Sequence, residues 1–443
     1  MKTIKNIIIG FGKGGKTLAK FLAQKGEEVL VIEKSNKMYG GTCINIACLP
    51  SKRLIIEASN GVSYVDAVSG KNEMTAQLRN KNYHMLADEK TVTVLDGEAH
   101  FIADHEIEVV LTNGEKEQFK GERIFINTGA VPVMLPIPGL KESKYILDST
   151  QAMDEKKMPE NLTIIGAGYI GLEFASMFAK YGSKVTVLDH SREFLSREDA
   201  DISQLVKKDL EDAGVHFELG ADIKEIIDEE NEAKVRYQIN GQEKEISANR
   251  ILAATGRKPN IENLGLENTS IEITDRGAVK VDDFLRTTVD KVWAIGDVKG
   301  GLQFTYISLD DFRIIKDQLF GTGARMISDR KVVPYSVFIS PALSQVGLNE
   351  KQAHNQNKEY KLFKLPVAAI PKAKVAKDSR GLFKALVDPE TEEFLGATLY
   401  GIESYELINM ISLAMKAHLS YTVLRDQIYT HPTMSEAFND LFK

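Results

Sequence analysis

The chain has 443 residues, 43% hydrophobic and 27% charged, with 56 basic against 63 acidic side chains and a formal charge of −7. That length calls for two or three domains, and the missing basic excess argues against a nucleic-acid partner. Only two cysteines occur, Cys43 and Cys48, too few for a disulfide-stapled secreted fold or a multi-thiolate metal centre.

No apolar run approaches the roughly 18 residues needed to cross a bilayer. The opening MKTIKNIIIGFGKGG runs into glycines where a signal peptide would stay apolar. A cytoplasmic protein with no membrane partner is expected.

The strand Lys5–Gly10 leads into the turn Gly10-Phe-Gly12-Lys-Gly-Gly15. A helix over Lys16–Lys25 follows, with Leu18, Phe21 and Leu22 on one face, then a strand over Glu28–Ile32 that ends on Glu33. The same order recurs later. Strand Asn161–Ile165 runs into Gly166-Ala-Gly168-Tyr-Ile-Gly171, then comes a helix over Leu172–Lys180 and a strand over Lys184–Leu188 ending on Asp189. In both units the acid lies 18 residues beyond the last motif glycine. Arg123–Thr128-Gly129 closes the first unit and Arg250–Thr255-Gly256 the second, and the first copy is longer by about 29 residues. The cysteines lie within that longer span.

Pro132, Pro136, Pro138 and Gly139 mark a linker, and Val292–Asp297 reads as a further strand ending in Gly-Asp. Beyond Pro334 come strand-like runs Tyr335–Ile339, Leu382–Val387 and Leu395–Tyr400, then helices over Ser404–His418 and Tyr421–Gln427. The expected fold is α/β: two Rossmann-like dinucleotide-binding domains plus a C-terminal α+β domain. The first is discontinuous (1–148 and 266–325), the second spans 149–265 and the third 326–443.

Each glycine turn suits a dinucleotide. The first glycine permits the tight turn, the second lets backbone approach a pyrophosphate, and the third packs helix on strand beneath N–H groups facing the anion. Two such turns imply two dinucleotides, commonly a resident flavin and a diffusing nicotinamide. Asp189 favours NADH, whereas His190 and Arg192 beside it can accept the 2′-phosphate of NADPH.

Cys43 and Cys48 lie in Gly40-Gly-Thr-Cys43-Ile-Asn-Ile-Ala-Cys48-Leu-Pro-Ser-Lys52. On a regular helix, residues five apart differ by about 140° of rotation. A distorted first turn lets them close a small, reducible disulfide, and a helix N-terminus lowers a thiol pKa. Two buried, inert cysteines are the alternative.

This segment resembles the redox signature of the class I pyridine nucleotide-disulfide oxidoreductases, and the likeness covers essentially the whole chain. It implies that Cys43 is the thiol exchanging with substrate and Cys48 the thiol under the flavin. It implies Lys52 near the flavin N5 with Glu173 as its ion-pair partner. Gly10, Gly12, Gly15, Glu33, Gly41, Thr42, Thr128, Gly129 and Asp297 would join Lys52 in holding a tightly bound FAD. Gly166, Gly168, Tyr169, Gly171, Asp189, Arg192 and Gly256 would hold NADH or NADPH, with Tyr169 as a lid over the nicotinamide pocket. Ala47 stands where the family often has glycine.

His431, in His431-Pro-Thr-Met-Ser-Glu436, suits proton transfer near neutrality, with Glu436 fixing its tautomer. In the family this pair reaches the thiols from the other subunit, which implies a homodimer with a shared active site. The other seven histidines show no metal-ligand spacing, and no metal site is expected.

Among family members, mercuric reductases carry a C-terminal cysteine pair that this chain lacks. Dihydrolipoamide dehydrogenases usually carry a histidine after the Gly-Asp strand, where this chain has Gln303-Phe304-Thr-Tyr306. That stretch, with Arg79–His84 and Arg425–His431, resembles the reactive-chlorine-resistance branch, whose members reduce hypothiocyanous acid and in some cases Cu(II). The resemblance implies a small oxidant coming directly to Cys43. Dihydrolipoamide dehydrogenase, mercuric reductase and a stoichiometric redox or metal sensor are the alternatives.

Overall fold

The computed structural model describes all 443 residues. Up to residue 320 its α-helices are α1 (Lys13–Gln24), α2 (Thr42–Asn45), α3 (Cys48–Ser59), α4 (Tyr64–Ala87), α5 (Ser149–Asp154), α6 (Tyr169–Tyr181), α7 (Ala200–Asp212) and α8 (Thr305–Phe320).

The first sheet is built around Lys2–Ile9, which pairs in parallel with Val29–Glu33 on one side and Lys116–Ile126 on the other. Val92–Ala103 and Val292–Ala294 extend the parallel array at its two edges. The apolar runs Ile7–Ile9, Val29–Ile32 and Ile124–Ile126, buried on both faces, are what a parallel sheet covered by helices requires. Beyond the parallel part, Val92–Ala103 and Lys116–Ile126 continue into an antiparallel meander with Glu106–Leu111. Val292–Ala294 joins this sheet from beyond the strands of the second one in sequence.

The second sheet repeats the plan. Asn161–Ile165 lies between Lys184–Asp189 and Arg250–Ala253, all parallel, with Val215–Leu219 and Ile146–Leu147 at the edges. Its three-stranded antiparallel meander spans Asp222–Asp228, Ala233–Ile239 and Gln242–Ala248.

The third unit is a five-stranded antiparallel sheet: Tyr335–Val337, Leu343–Gly347, Phe394–Tyr400, Leu382–Val387 and Lys361–Pro366. It is covered by the helix Ser404–Lys416, which buries Leu407, Ile408 and Ile411 against it. No helix is long and apolar enough to cross a membrane.

Helix starts differ from the sequence reading. Both helices after the glycine turns begin at once, at Lys13 and Tyr169, rather than at Lys16 and Leu172. The second glycine of each motif is the N-cap, so the third lies inside the helix. The helix expected over Tyr421–Gln427 ends at Arg425.

Candidate active site

The cysteines sit on an interrupted helix. Helix α2 is one turn long and is preceded by Gly41 at φ 81°. A Cβ at Gly41 would lie 2.7 Å from the Cα of Gly12, so the cysteine segment rests backbone-to-backbone on the first glycine turn. The helix stops at Ile46 and Ala47, whose dihedrals leave the α region (φ −144°, ψ −102° at Ala47), and α3 restarts at Cys48. Asn45 pins the break: its amide donates to the carbonyls of Tyr39 and Gly41, at 3.0 and 2.9 Å, and its oxygen accepts from Arg79 at 2.9 Å. The break removes the angular separation of a regular helix, and both cysteines line the same cavity. Both cysteines are free and partly buried.

Their environments differ. Cys48 is the first residue of α3, and the hydroxyl of Thr305, first residue of α8, lies 3.6 Å from its sulfur. Two helix N-termini thus meet at one sulfur, where partial positive charge favours thiolate. The hydrogen bond from Cys43, then Thr305 and the Lys52 charge, outweigh burial and pull the Cys48 thiol below its usual range. That same hydrogen bond, with burial, pushes Cys43 up. The inner sulfur therefore favours the thiolate and the outer one the thiol.

Lys52 ion-pairs with Glu173 at 2.6 Å, and the other oxygen of Glu173 accepts from the Phe338 amide at 2.8 Å. The ammonium lies 4.9 Å from the centroid of the Phe338 ring. This pair ties α3, α6 and the third unit together beside the thiols.

A cavity of about 1370 Å³ runs from the first glycine turn to the thiols. It exceeds the roughly 300–1,000 Å³ of ordinary small-ligand pockets. Gly10, Gly12, Glu33, Gly41, Thr42, Thr128, Gly129 and Asp297 line it, as do Cys43, Cys48, Lys52, Glu173 and Tyr169. At its far end Glu33 accepts from the amides of Phe11 and Ser35, and burial raises its carboxyl. Asp297 faces Arg257 and Lys299, and burial raises it too. Gly15 lies beneath the cavity, where a Cβ would meet the Gly10 carbonyl at 2.9 Å.

Of the second turn, only Tyr169 and Ile170 line this cavity; its glycines lie outside it. Asp189 accepts from the Ala167 amide at 2.5 Å, the counterpart of the Glu33–Phe11 bond. Arg192 is exposed in the loop after it. Gly256 lies at the end of the strand beside Asn161–Ile165, its carbonyl accepting from Val133.

The two turns use their second glycine differently. A Cβ on Gly12 would lie 2.6 Å from Oδ1 of Asn127, whereas a Cβ on Gly168 would meet nothing within 4 Å. Gly12 is therefore required by a neighbouring side chain, and Gly168 opens onto free space. Neither helix N-terminus has a side-chain cap or an acid in its first turn. The uncapped N–H groups of α1, beside a groove this long, fit the diphosphate of a dinucleotide.

His431 pairs with Glu436 through Nδ1 at 2.8 Å, as its spacing suggested. The pair lies outside the thiol cavity, and the imidazole is 70% exposed. Within one chain the structure does not bring His431 to Cys43.

Several site residues carry no motif signal. Thr305 stands between the two aromatics that drew attention in sequence, yet it is the residue touching Cys48. Asn127 accepts from the Gly15 amide and donates to the Ile295 carbonyl, locking the first turn. Lys16 is 4% exposed, bonded to the Gly40 carbonyl and Asn82, and burial lowers its pKa to about 8. A buried lysine on an otherwise amphipathic helix is the one feature that sequence could have flagged.

Two parallel sheets with glycine turns, a split-helix thiol pair and an antiparallel third unit define a flavoprotein disulfide reductase. The chain belongs to the pyridine nucleotide-disulphide oxidoreductases: that family matches residues 4–311, and its dimerisation domain matches residues 333–442. The family is FAD- and NAD(P)H-dependent.

Among its relatives is the probable pyridine nucleotide-disulfide oxidoreductase RclA of Escherichia coli (strain K12), 49% identical and covering 100% of this chain and 99% of the relative. A solved Cu(II) complex of HOCl-induced flavoprotein disulfide reductase RclA from Escherichia coli has a TM-score of 0.97 at 49% identity, covering 100% of this chain and 99% of that one. A mercuric reductase of Bacillus cereus is 34% identical over 97% of this chain and 69% of its own length. A dihydrolipoyl dehydrogenase of Staphylococcus aureus is 30% identical over 97% and 94%.

Proposed function

We propose that the chain is an NAD(P)H-dependent FAD enzyme whose Cys43 and Cys48 cycle between disulfide and dithiol while reducing a small thiol-reactive oxidant, hypothiocyanous acid foremost. The observation that carries this is the setting of the thiol pair: Cys48 at two helix N-termini and within reach of the Thr305 hydroxyl, with Cys43 beside it in the same cavity. When bound, flavin and nicotinamide supply two electrons to the Cys43–Cys48 disulfide. The cavity residues from Gly10 to Asp297 would hold the flavin, and the Gly166–Gly171 turn with Asp189, Arg192 and Gly256 would hold the nicotinamide dinucleotide.

The thiol chemistry balances on this chain's own residues. Deprotonated Cys43 attacks the sulfur of hypothiocyanous acid, forming a thiocyanate adduct and releasing hydroxide. The Cys48 thiolate then attacks Cys43, the disulfide forms, and thiocyanate leaves. A base must take the Cys43 proton and return it to the hydroxide as water. His431, oriented by Glu436, is suited to this and would come from a second copy of the chain. The match to a dimerisation domain supports that assignment, as do the exposed Leu413, Val423 and Ile428 in the same unit.

Cu(II) is a second candidate, because a solved relative is a Cu(II) complex. The test is steady-state NADH and NADPH oxidation by the purified holoprotein with hypothiocyanous acid, Cu(II), Hg(II), lipoamide and glutathione disulfide. Turnover fastest with hypothiocyanous acid is expected. Lipoamide turning over as fast would overturn the reading in favour of a dihydrolipoamide dehydrogenase.

A further inference from the structure

Tyr169 begins α6 immediately behind Gly168 and reaches into the cavity next to Glu173. Tyr169 stands where the second turn meets the cavity, so on the proposed function a nicotinamide ring held at that turn must pass this side chain to reach the flavin site. Tyr169 is tethered. Its hydroxyl donates to Oε1 of Glu198 at 2.6 Å, and its ring stacks on Tyr335 with centroids 5.7 Å apart.

The tether has an unusual second arm. The Tyr335 hydroxyl carries one proton but lies near three acceptors: Oε1 of Gln345 at 2.6 Å, Oε1 of Glu198 at 2.9 Å and, more distantly, the Tyr169 hydroxyl at 3.3 Å. Glu198 is 3% exposed, and its Oε2 is buried with no partner at all. A buried carboxylate in that position depends heavily on whichever hydroxyl faces it.

Glu198 itself is fixed. The next residue, Asp199, accepts from the amides of Glu350 and Lys351 and from the fully buried Lys384, the last at 2.7 Å. Asn349 donates to the Arg197 carbonyl at 2.8 Å. The acceptor is thus stapled to the third unit, while Tyr169 sits at a helix end and is the member able to swing.

We infer that Glu198 and Tyr335 form a two-position latch on Tyr169, making them positioning residues for nicotinamide entry; this rests on the proposed function. With Tyr169 in place, it satisfies Glu198 and Tyr335 gives its proton to Gln345. With Tyr169 displaced, Tyr335 turns its proton to Glu198, so the buried carboxylate is never left without a donor. Opening then forfeits one neutral hydrogen bond, to Gln345, instead of one to a charged group. The net difference between those two losses sets how readily the ring enters.

The latch predicts effects of opposite sign from neighbouring residues. Tyr335→Phe keeps the stacking ring but removes the relief donor, so NAD+ and NADP+ bind the oxidised holoprotein about three- to tenfold more weakly by calorimetry. Tyr169→Phe and Glu198→Gln weaken the closed tether, so both bind about threefold or more tightly. In a Tyr169→Phe/Tyr335→Phe double variant the Tyr335 effect vanishes, because no donor then reaches Glu198 with the lid open or shut. KM for NAD(P)H moves in the same directions.

Tighter or unchanged binding in Tyr335→Phe, or simple additivity in the double variant, overturns the latch. Flavin content and melting temperature of each variant identify one that misfolds, and the Tyr→Phe pair decides the matter without Glu198→Gln. A wild-type holoprotein that binds neither nucleotide overturns the functional reading as well. Normal wild-type binding with insensitive variants overturns the latch alone.

Discussion

The two glycine-turn units share a frame and differ in one crossover. In each, a buried central strand feeds a glycine turn and a helix, the next strand ends in an acid, and that acid accepts from the amide just after the first glycine. Each frame also carries an antiparallel meander, which in the first unit includes the strand leading to Thr-Gly and in the second forms a separate sheet before it. The difference lies between the acid-ending strand and the next parallel strand. In the first unit that stretch holds α2, α3 and α4 with both cysteines; in the second it holds the loop with Glu198 and Asp199, then α7. The same topological slot thus carries both cysteines in one copy and the hydrogen-bond anchor of Tyr169 in the other. A repeated scaffold supplies dinucleotide grooves, and what is inserted after the acid decides what each groove does.

The largest effect should come from the thiols in the first crossover. Cys43→Ser leaves the fold and flavin binding intact but removes the nucleophile, so oxidant-dependent NAD(P)H oxidation falls to background. Turnover surviving in that variant would detach the chemistry from this crossover.

Next comes His431→Ala. Loss of a positioned general acid–base costs about 10²- to 10⁴-fold, and the cost should fall on thiol oxidation rather than on flavin reduction by NAD(P)H. Stopped-flow measurement of the two half-reactions separates them, and equal slowing would contradict the assigned role.

A glycine pair sharpens the comparison of the frames themselves. Gly12→Ala forces a methyl against Asn127, whose oxygen and amide are both engaged, and should cost about 1–3 kcal/mol of stability. Gly168→Ala meets no atom and should change stability by less than about 0.5 kcal/mol while weakening nicotinamide binding. Thermal melts and nucleotide titrations of the two variants check this; matching melts would show that the turns are equivalent after all.

The smallest effect concerns pH. Cys48 is held below its usual range, so its thiolate is lost as pH falls through that lowered value. Thr305→Val removes one donor to the sulfur and should raise the Cys48 pKa. The acid limb of the oxidant half-reaction then moves to higher pH, while rates above the limb stay unchanged. An unmoved limb would remove Thr305 from the account.

Much of this was legible in the chain, because the features involved are local and rhythmic. The glycine spacing, the strand-end acids and the two cysteines announce themselves within a few residues, and the His431–Glu436 contact follows from five-residue spacing and a turn. What stayed hidden depends on distant segments meeting. Thr305 touches Cys48 across 257 positions, and Asn127 reaches the Gly15 amide across 112. Neither has a neighbour in sequence to advertise it. Glu198 reads as one acid in a charged loop; only its burial between two tyrosines distinguishes it. The helix starts were placed three residues late because glycine's poor helix propensity hides a first turn that the motif itself imposes.

The central claim is that electrons from NAD(P)H reach Cys43 and Cys48 and leave from there to a small oxidant. Counting thiols tests it most directly. The oxidised holoprotein is mixed anaerobically with one equivalent of NADPH or NADH, then alkylated and mapped by mass spectrometry before and after one equivalent of hypothiocyanous acid. The account predicts that both cysteines become alkylatable on reduction and that both are protected again, as the disulfide, after the oxidant. Thiols that never appear, or that persist after the oxidant has been consumed, would contradict it.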